Sequence, residues 1–258
     1  MNTFEKLQLL QSGKLTAEQN VKNFLNAIEK DDQHGKKINA FISMNPGIIG
    51  DARRIDEKIK KGRAGRLAGM VIGVKSNINV LGLRATCASK VLENYYSSYD
   101  ASVIKKVKDE DGIIIGMTNM DEFACGSSGE TSAFGATKNP ADLKRIPGGT
   151  SSGSAAAIAA GFCDVSLGSD TGGSSRNPAS HCGVVGVKPT YSSVSRYGLI
   201  DSSMSLDQVG VLSKDVYGSA LLLDVIKGKD DKDAISQDSR KLNLENLNKI
   251  QKNITIGI

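Results

Sequence analysis

No tryptophan occurs among the 258 residues, and only two histidines, five prolines and four cysteines do. Nowhere do about 18 apolar residues run together, which excludes a helix able to span a bilayer. Met1 to Lys6 show no basic stretch followed by an apolar one, so no secretory signal is visible; the expectation is a cytoplasmic protein without a membrane. Cys87, Cys125, Cys163 and Cys182 are too widely spaced for zinc ligands and too sparse for a disulfide framework, and read as reduced structural thiols. The shortage of histidine bears most directly on chemistry. His34 lies in the charged run Asp31 to Gly35, and His181 sits beside Cys182 and Gly183 as a hydrogen-bonded structural residue would. A Ser-His-Asp triad therefore has no good base.

What is present describes an ordinary globular chain, with 39% hydrophobic and 24% charged residues and a length that suits one domain with a large core. The net charge of +5 is spread out. Its densest basic stretch, Arg53 to Arg66, alternates with Asp56 and Glu57 as a solvated helix face does, and argues weakly for nucleic acid. Residues 1–65 read as a helical segment packed on the core. Thr16 and Gln19 make a capping-box pair, and Val21, Phe24, Leu25 and Ile28 then recur at helical spacing.

From residue 66 onward the pattern changes. Met70 to Val74, Ile113 to Ile115 and Val165 to Leu167 are short apolar runs without strict alternation, which suits strands buried on both faces. Helical stretches lie between them, around Val103, Ile104 and Val107 and from Ser154 to Ala160. This alternation predicts an α/β layered fold. Lys214 to Ile226 reads as a further helix, Lys227 to about Asn246 as a polar loop, and Ile254 to Ile256 as a strand.

Glycine supplies 28 residues, many concentrated in two loops that also carry hydroxyls: Gly148 to Ser154, before an alanine-rich helix, and Gly168 to Ser174, after the strand Val165 to Leu167. Loops of this kind either make tight turns or bring backbone N–H groups close to a ligand. A serine nucleophile in them needs a base. Lys75 ends the apolar run Val71 to Val74, where an ammonium group is poorly solvated. To serve near neutral pH its pKa must fall by about 3 units to roughly 7, within what burial can do.

These residues resemble the amidase signature family. Gly148 to Gly153 and Gly172 to Pro178 match its two glycine-serine motifs, and Gly73-Val74-Lys75-Ser76-Asn77 its lysine motif. Thr118 to Phe123, Ser132 to Gly135, Ser195 to Leu199 and Ser205 to Gln208 resemble, within the family, the glutamine-hydrolysing subunits of tRNA-dependent amidotransferases. The resemblance implies an α/β fold with a mixed β-sheet core covered by helices on both faces and a helical N-terminal segment. Residues 66–258 would be the signature core, incomplete at the C-terminus because members of the family run further.

It also implies a serine, cis-serine, lysine relay. Ser174 would be the acylated nucleophile and Lys75 the base. The hydroxyl between them falls on Thr150, threonine standing where the family has serine, with Ser151 as the alternative; the peptide before the relay residue is cis in the family. Backbone N–H groups of Thr171, Gly172, Gly173 and Ser174 would face the oxyanion. Arg176 would anchor a loop carboxylate such as Asp170, and the loop Gly126-Ser127-Ser128 would either line the substrate or form a turn. Ser175 stands where the family usually has isoleucine or valine. The implied reaction hydrolyses glutamine to glutamate and ammonia, the ammonia serving to convert Glu-tRNA(Gln) or Asp-tRNA(Asn) to the amidated form. The implied partners are the amidotransferase's B subunit, which binds the misacylated tRNA and uses ATP and magnesium, and in some members a small third one, the C subunit; this chain itself would hold no cofactor and no metal. The competing readings are a stand-alone amidase acting on another carboxamide, and a non-catalytic anion-binding or assembly protein.

Overall fold

A computed structural model describes residues 1–247. The chain opens with α1 (Thr3–Gln11) and α2 (Ala17–Ala27). Both start on reciprocal capping boxes, Asn2 with Glu5 and Thr16 with Gln19, which satisfy amide donors that a helix start leaves free. β1 (Phe41–Met44) and α3 (Ile48–Lys60) follow. β1 corrects the reading of the first 65 residues as helices alone: four residues are too short to show a period, and the strand is defined by its pairing with a later one. Along and just past α3, Arg53, Arg54, Lys58, Lys60 and Arg66 each pair with a carboxylate, as a solvated basic face does.

Beyond it come β2 (Val71–Lys75), α4 (Ser102–Asp109), β3 (Ile113–Thr118), α5 (Ser152–Ala159), β4 (Val165–Asp170), α6 (Arg176–Cys182), β5 (Val185–Val187), β6 (Gln208–Ser213) and α7 (Val216–Ile226). The strands form one mixed sheet in the order β1-β3-β2-β4-β6-β5. β2 runs parallel to β3 and β4, and the remaining pairs are antiparallel. Every residue of β2, β3, β4 and β6 is buried, which explains the unbroken apolar runs. One sheet face packs Leu7 and Leu10 of α1, Val103, Ile104 and Val107 of α4, and Leu221, Leu222 and Val225 of α7. The other packs α2, α3, α5 and α6. Helices thus cover both faces, as expected. The strand expected at Ile254 to Ile256 lies outside the described residues. No helix among the described residues is long and apolar enough to cross a membrane.

α5 shows how tightly the site is built into this core. All but its last residue are buried. Ser154 Oγ lies 2.7 Å from Thr118 Oγ1 and donates to the Leu167 carbonyl at 3.0 Å, tying the helix to β3 and β4. Gly153 donates its N–H to the Asn119 carbonyl, and a Cβ there would lie 2.4 Å from both the Ala40 oxygen and the Asn119 nitrogen. Those are backbone atoms that cannot rotate away. Gly153→Ala is therefore expected to destabilise the chain by roughly 1–3 kcal/mol, the usual range for overpacking. Urea unfolding checks this, and an unchanged midpoint would show that α5 can shift.

Candidate active site

Two parallel neighbours at the centre of the sheet, β2 and β4, end side by side and deliver Lys75 and the pair Ser169-Asp170 to the same end of the strands. Such strand ends, with loops splaying from them, are where open α/β sheets place reactive groups. Lys75 is fully buried. Its Nζ lies 2.6 Å from Thr150 Oγ1, 2.8 Å from Ser169 Oγ and 3.5 Å from the Ser169 carbonyl. Burial strips water from the ammonium form and pulls its pKa down to about 7, against the opposing pull of the Asp207, Asp121 and Asp170 carboxylates. At neutral pH a large fraction of this amine is uncharged and able to accept a proton.

Thr150 is fully buried, and the Gly149–Thr150 peptide is cis. The two hydroxyls weighed as relay occupy different places. Ser151 Oγ donates to the Ser169 carbonyl at 3.1 Å and accepts the Ser169 N–H at 3.3 Å, so it is taken up in bracing β4. Its N–H donates to the Ser174 carbonyl at 2.9 Å, which joins the first glycine loop to the second. Asn177 at the start of α6 adds another tie, its Oδ1 accepting the Gly149 N–H at 3.0 Å. Ser174 is half-buried, two residues before α6.

Asp170 shapes the second loop. Arg176 grips it bidentately at 2.9 and 3.1 Å, and the N–H groups of Gly173, Ser175 and Arg176 donate to it at 2.8, 3.0 and 3.2 Å. Burial alone would raise this carboxyl, but Arg176 and the backbone donors outweigh it and hold the pKa below the usual range. Arg176 thus has the anchoring place expected of it. Gly173 does not have the place expected: its N–H is committed to Asp170 and not free for an oxyanion, because the turn that follows β4 folds back onto that carboxylate. Gly172 is exposed and Thr171 half-buried, the latter donating its hydroxyl to Asp207.

Ser128 belongs to a loop held by Asp121, which is fully buried and accepts from Gly129 N–H at 3.0 Å and from Thr131 N–H at 3.2 Å. That loop abuts the first glycine loop: a Cβ on Gly149 would fall 3.0 Å from the Ser128 nitrogen and 1.9 Å from Asp121 Oδ2. The polar side chain at Ser175 is a satisfied one. Its Oγ donates to the Ser169 carbonyl at 3.2 Å and fits where Gly168 and Gly210 leave room.

The thiols are poor rival nucleophiles. All four are free, and burial pushes Cys87 and Cys182 up to about 12 and Cys163 upward as well. Cys125 corrects the reading of all four as structural, since it is exposed on the loop after Glu122–Ala124. His181 is exposed on α6, and its carbonyl accepts from Asn139 at 2.8 Å. A separate cavity of about 510 Å³, lined by Met1, Lys6, Phe24 and Lys214 among others, includes none of the expected site residues.

Ser169, Asn77, Asp121 and Asp207 lie inside the sequence motifs without being marked there as neighbours of Lys75. A serine inside a strand-end motif, or an aspartate far away in sequence, carries no local sign of facing Lys75.

Residues 19–258 match the family model described as Amidase. The chain is 58% identical over 242 residues to the A subunit of glutamyl-tRNA(Gln) amidotransferase from Methanothermobacter thermautotrophicus, covering 93% of this chain and 52% of that protein. Its fold resembles the A subunit of glutamyl-tRNA(Gln) amidotransferase from Thermotoga maritima (TM-score 0.80, 43% identity, 93% of this chain and 49% of that one). It also resembles the peptide amidase of Stenotrophomonas maltophilia (TM-score 0.89, 32% identity, 95% and 51%). The chain spans about half the length of the relatives it matches.

The buried lysine makes a prediction about stability. Its pKa is about 7 in the folded chain and 10.5 when solvated, so between those values the unfolded state binds more protons and this group makes stability rise with pH. Below pH 7 the penalty is fully present, about 4–5 kcal/mol as an upper bound. Lys75→Met is expected to gain most over the wild type below pH 7 and to lose that gain as pH climbs toward 10.5. Chemical denaturation of both proteins at pH 6 and pH 10 measures the difference; a gap independent of pH would mean that Lys75 is charged when buried.

Proposed function

The chain belongs to the amidase family, and from that premise we propose that it supplies the glutamine-hydrolysing site of a tRNA-dependent amidotransferase. The observation that carries this reading is the 2.6 Å contact between the fully buried Lys75 amine and Thr150 Oγ1. The likeness to the A subunits of two amidotransferases supports the choice of substrate.

In this reading Ser174 Oγ attacks the carboxamide carbon of glutamine as its proton passes to Thr150 and that of Thr150 passes to Lys75. General-base assistance of this kind contributes about 10²–10⁴-fold. The N–H groups of Thr171, Gly172 and Ser174 stabilise the oxyanion, and Ser128 lines the substrate side. When the tetrahedral intermediate collapses, the proton returns from Lys75 through Thr150 to the leaving nitrogen, and ammonia departs. Water then cleaves the γ-glutamyl ester by the same relay in reverse, releasing glutamate. Each of these steps uses side chains and backbone of this chain. The ammonia serves a cytoplasmic partner, the B subunit, which binds the misacylated tRNA and activates its carboxylate with ATP and magnesium; a small C subunit completes the assembly in some complexes.

Two experiments test this. A fluorophosphonate probe is expected to label the wild type and leave Ser174→Ala unlabelled, with Thr150→Ala slowed by roughly 10²-fold or more. Because the uncharged amine is the base, the labelling rate should rise with pH and level off above about 7. Equal labelling of wild type and Ser174→Ala would remove Ser174 as nucleophile. Ammonia release from glutamine is expected to increase when the B subunit is added; release from unrelated carboxamides at the same rate, with or without the partner, would instead indicate a stand-alone amidase.

A further inference from the structure

A neutral amine has one lone pair and two N–H bonds, and as a base it works only if the lone pair faces the hydroxyl to be deprotonated. Around Lys75 Nζ stand three oxygens: Thr150 Oγ1, Ser169 Oγ and, more distantly, the Ser169 carbonyl. A carbonyl can only accept. A serine hydroxyl can do either, so the direction of the hydrogen bond at Ser169 decides where the lone pair points.

Asn77 occupies one side of that hydroxyl. It is 1% exposed, and its Nδ2 donates both to Ser169 Oγ at 3.1 Å and to the Ile200 carbonyl at 3.2 Å. The Ile200 oxygen cannot donate, so the amide must present its nitrogen to that corner, and Ser169 Oγ is held as an acceptor of the Asn77 N–H. The rest of Ser169 is fixed as well: its N–H donates to Ser151 Oγ, and its carbonyl accepts from Ser151 and Ser175.

We propose that Ser169, oriented by Asn77, is a positioning residue that accepts an N–H of the neutral Lys75 amine and so turns the amine's lone pair onto the Thr150 hydroxyl. This rests on Lys75 being the base of the proposed reaction. No covalent step is added; the proton route is unchanged, and Ser169 fixes its direction. The other groups acting on Lys75, namely Asp207, Asp121, Asp170 and Cys87, set its affinity for a proton but are not among its hydrogen-bond partners.

The test measures the rate of fluorophosphonate labelling of Ser174 across pH 5 to 10, together with thermal unfolding, in wild type, Ser169→Ala, Ser169→Cys and Ser169→Thr. Alanine removes the acceptor; cysteine keeps the size but accepts weakly. Both are expected to lower the high-pH plateau roughly tenfold or more, a share of what a positioned base contributes. They should also move the acid-limb midpoint lower, because the ammonium form loses an acceptor. Threonine, which keeps the hydroxyl, is expected to stay within about threefold of the wild type on the same scale. If the alanine variant does not fold, the cysteine variant decides. Wild-type plateau and midpoint in the folded alanine or cysteine variant overturn the proposal, as does an equal loss in all three with an unmoved midpoint, the signature of a packing role. Lys75→Met serves as the control: labelling at the wild-type rate there would instead overturn Lys75 as base.

Discussion

An amine stripped of water at the end of a central strand is the constraint around which this molecule is arranged. Lys75 can sit there only because β2 is flanked by β3 and β4 and covered by helices on both sides, so that solvent is excluded all round. The same exclusion that costs stability leaves the amine able to shed its charge near neutral pH. The nearby Cys87 thiol stays protonated, and the exposed His181 is a residue of α6 whose carbonyl is used structurally. The hydroxyls that contact the amine come from a loop and a strand end more than 70 residues further along the chain, brought to it by parallel pairing and by α5.

Three buried aspartates form the second layer of the arrangement. Asp121 gathers the loop of Gly129 and Thr131, Asp170 gathers the turn from Gly173 to Arg176, and Asp207 accepts from Ser202 N–H at 2.6 Å and Ser203 N–H at 3.1 Å and takes the Thr171 hydroxyl. Backbone amides can converge on a carboxylate where they could not converge on an apolar side chain, so Asp121 and Asp170 each fix a glycine-containing segment and Asp207 fixes the serine-rich one before β6. All three also favour a protonated Lys75. Burial outweighs them, and the pKa comes to rest where the amine can both accept and return a proton.

Much of this was legible in the sequence, and for identifiable reasons. β2, β3 and β4 announced themselves as apolar runs because they are buried on both faces; α2 did so through its capping box. Lys75 stood out because a charged residue closing such a run has nowhere to be solvated. What escaped was non-local or short. β1 and β5 have four and three residues, and β6 opens on the buried polar Gln208, just after buried Asp207. Ser169 was visible only as part of a motif, since its contacts with Lys75 and Asn77 are made by residues more than 90 positions away. Gly173 looked like an oxyanion donor until the fold showed its amide turned to Asp170.

The corner where Gly149 meets Asp121 has a consequence for how this site can change over time. With 1.9 Å between a would-be Cβ and a carboxylate oxygen, any side chain at 149 collides with a group that itself organises the adjoining loop. Shrinking position 121 to admit it would release that loop. Glycine at 149 is thereby locked to aspartate at 121: a side chain can enter the first position only at the expense of the loop that the second holds.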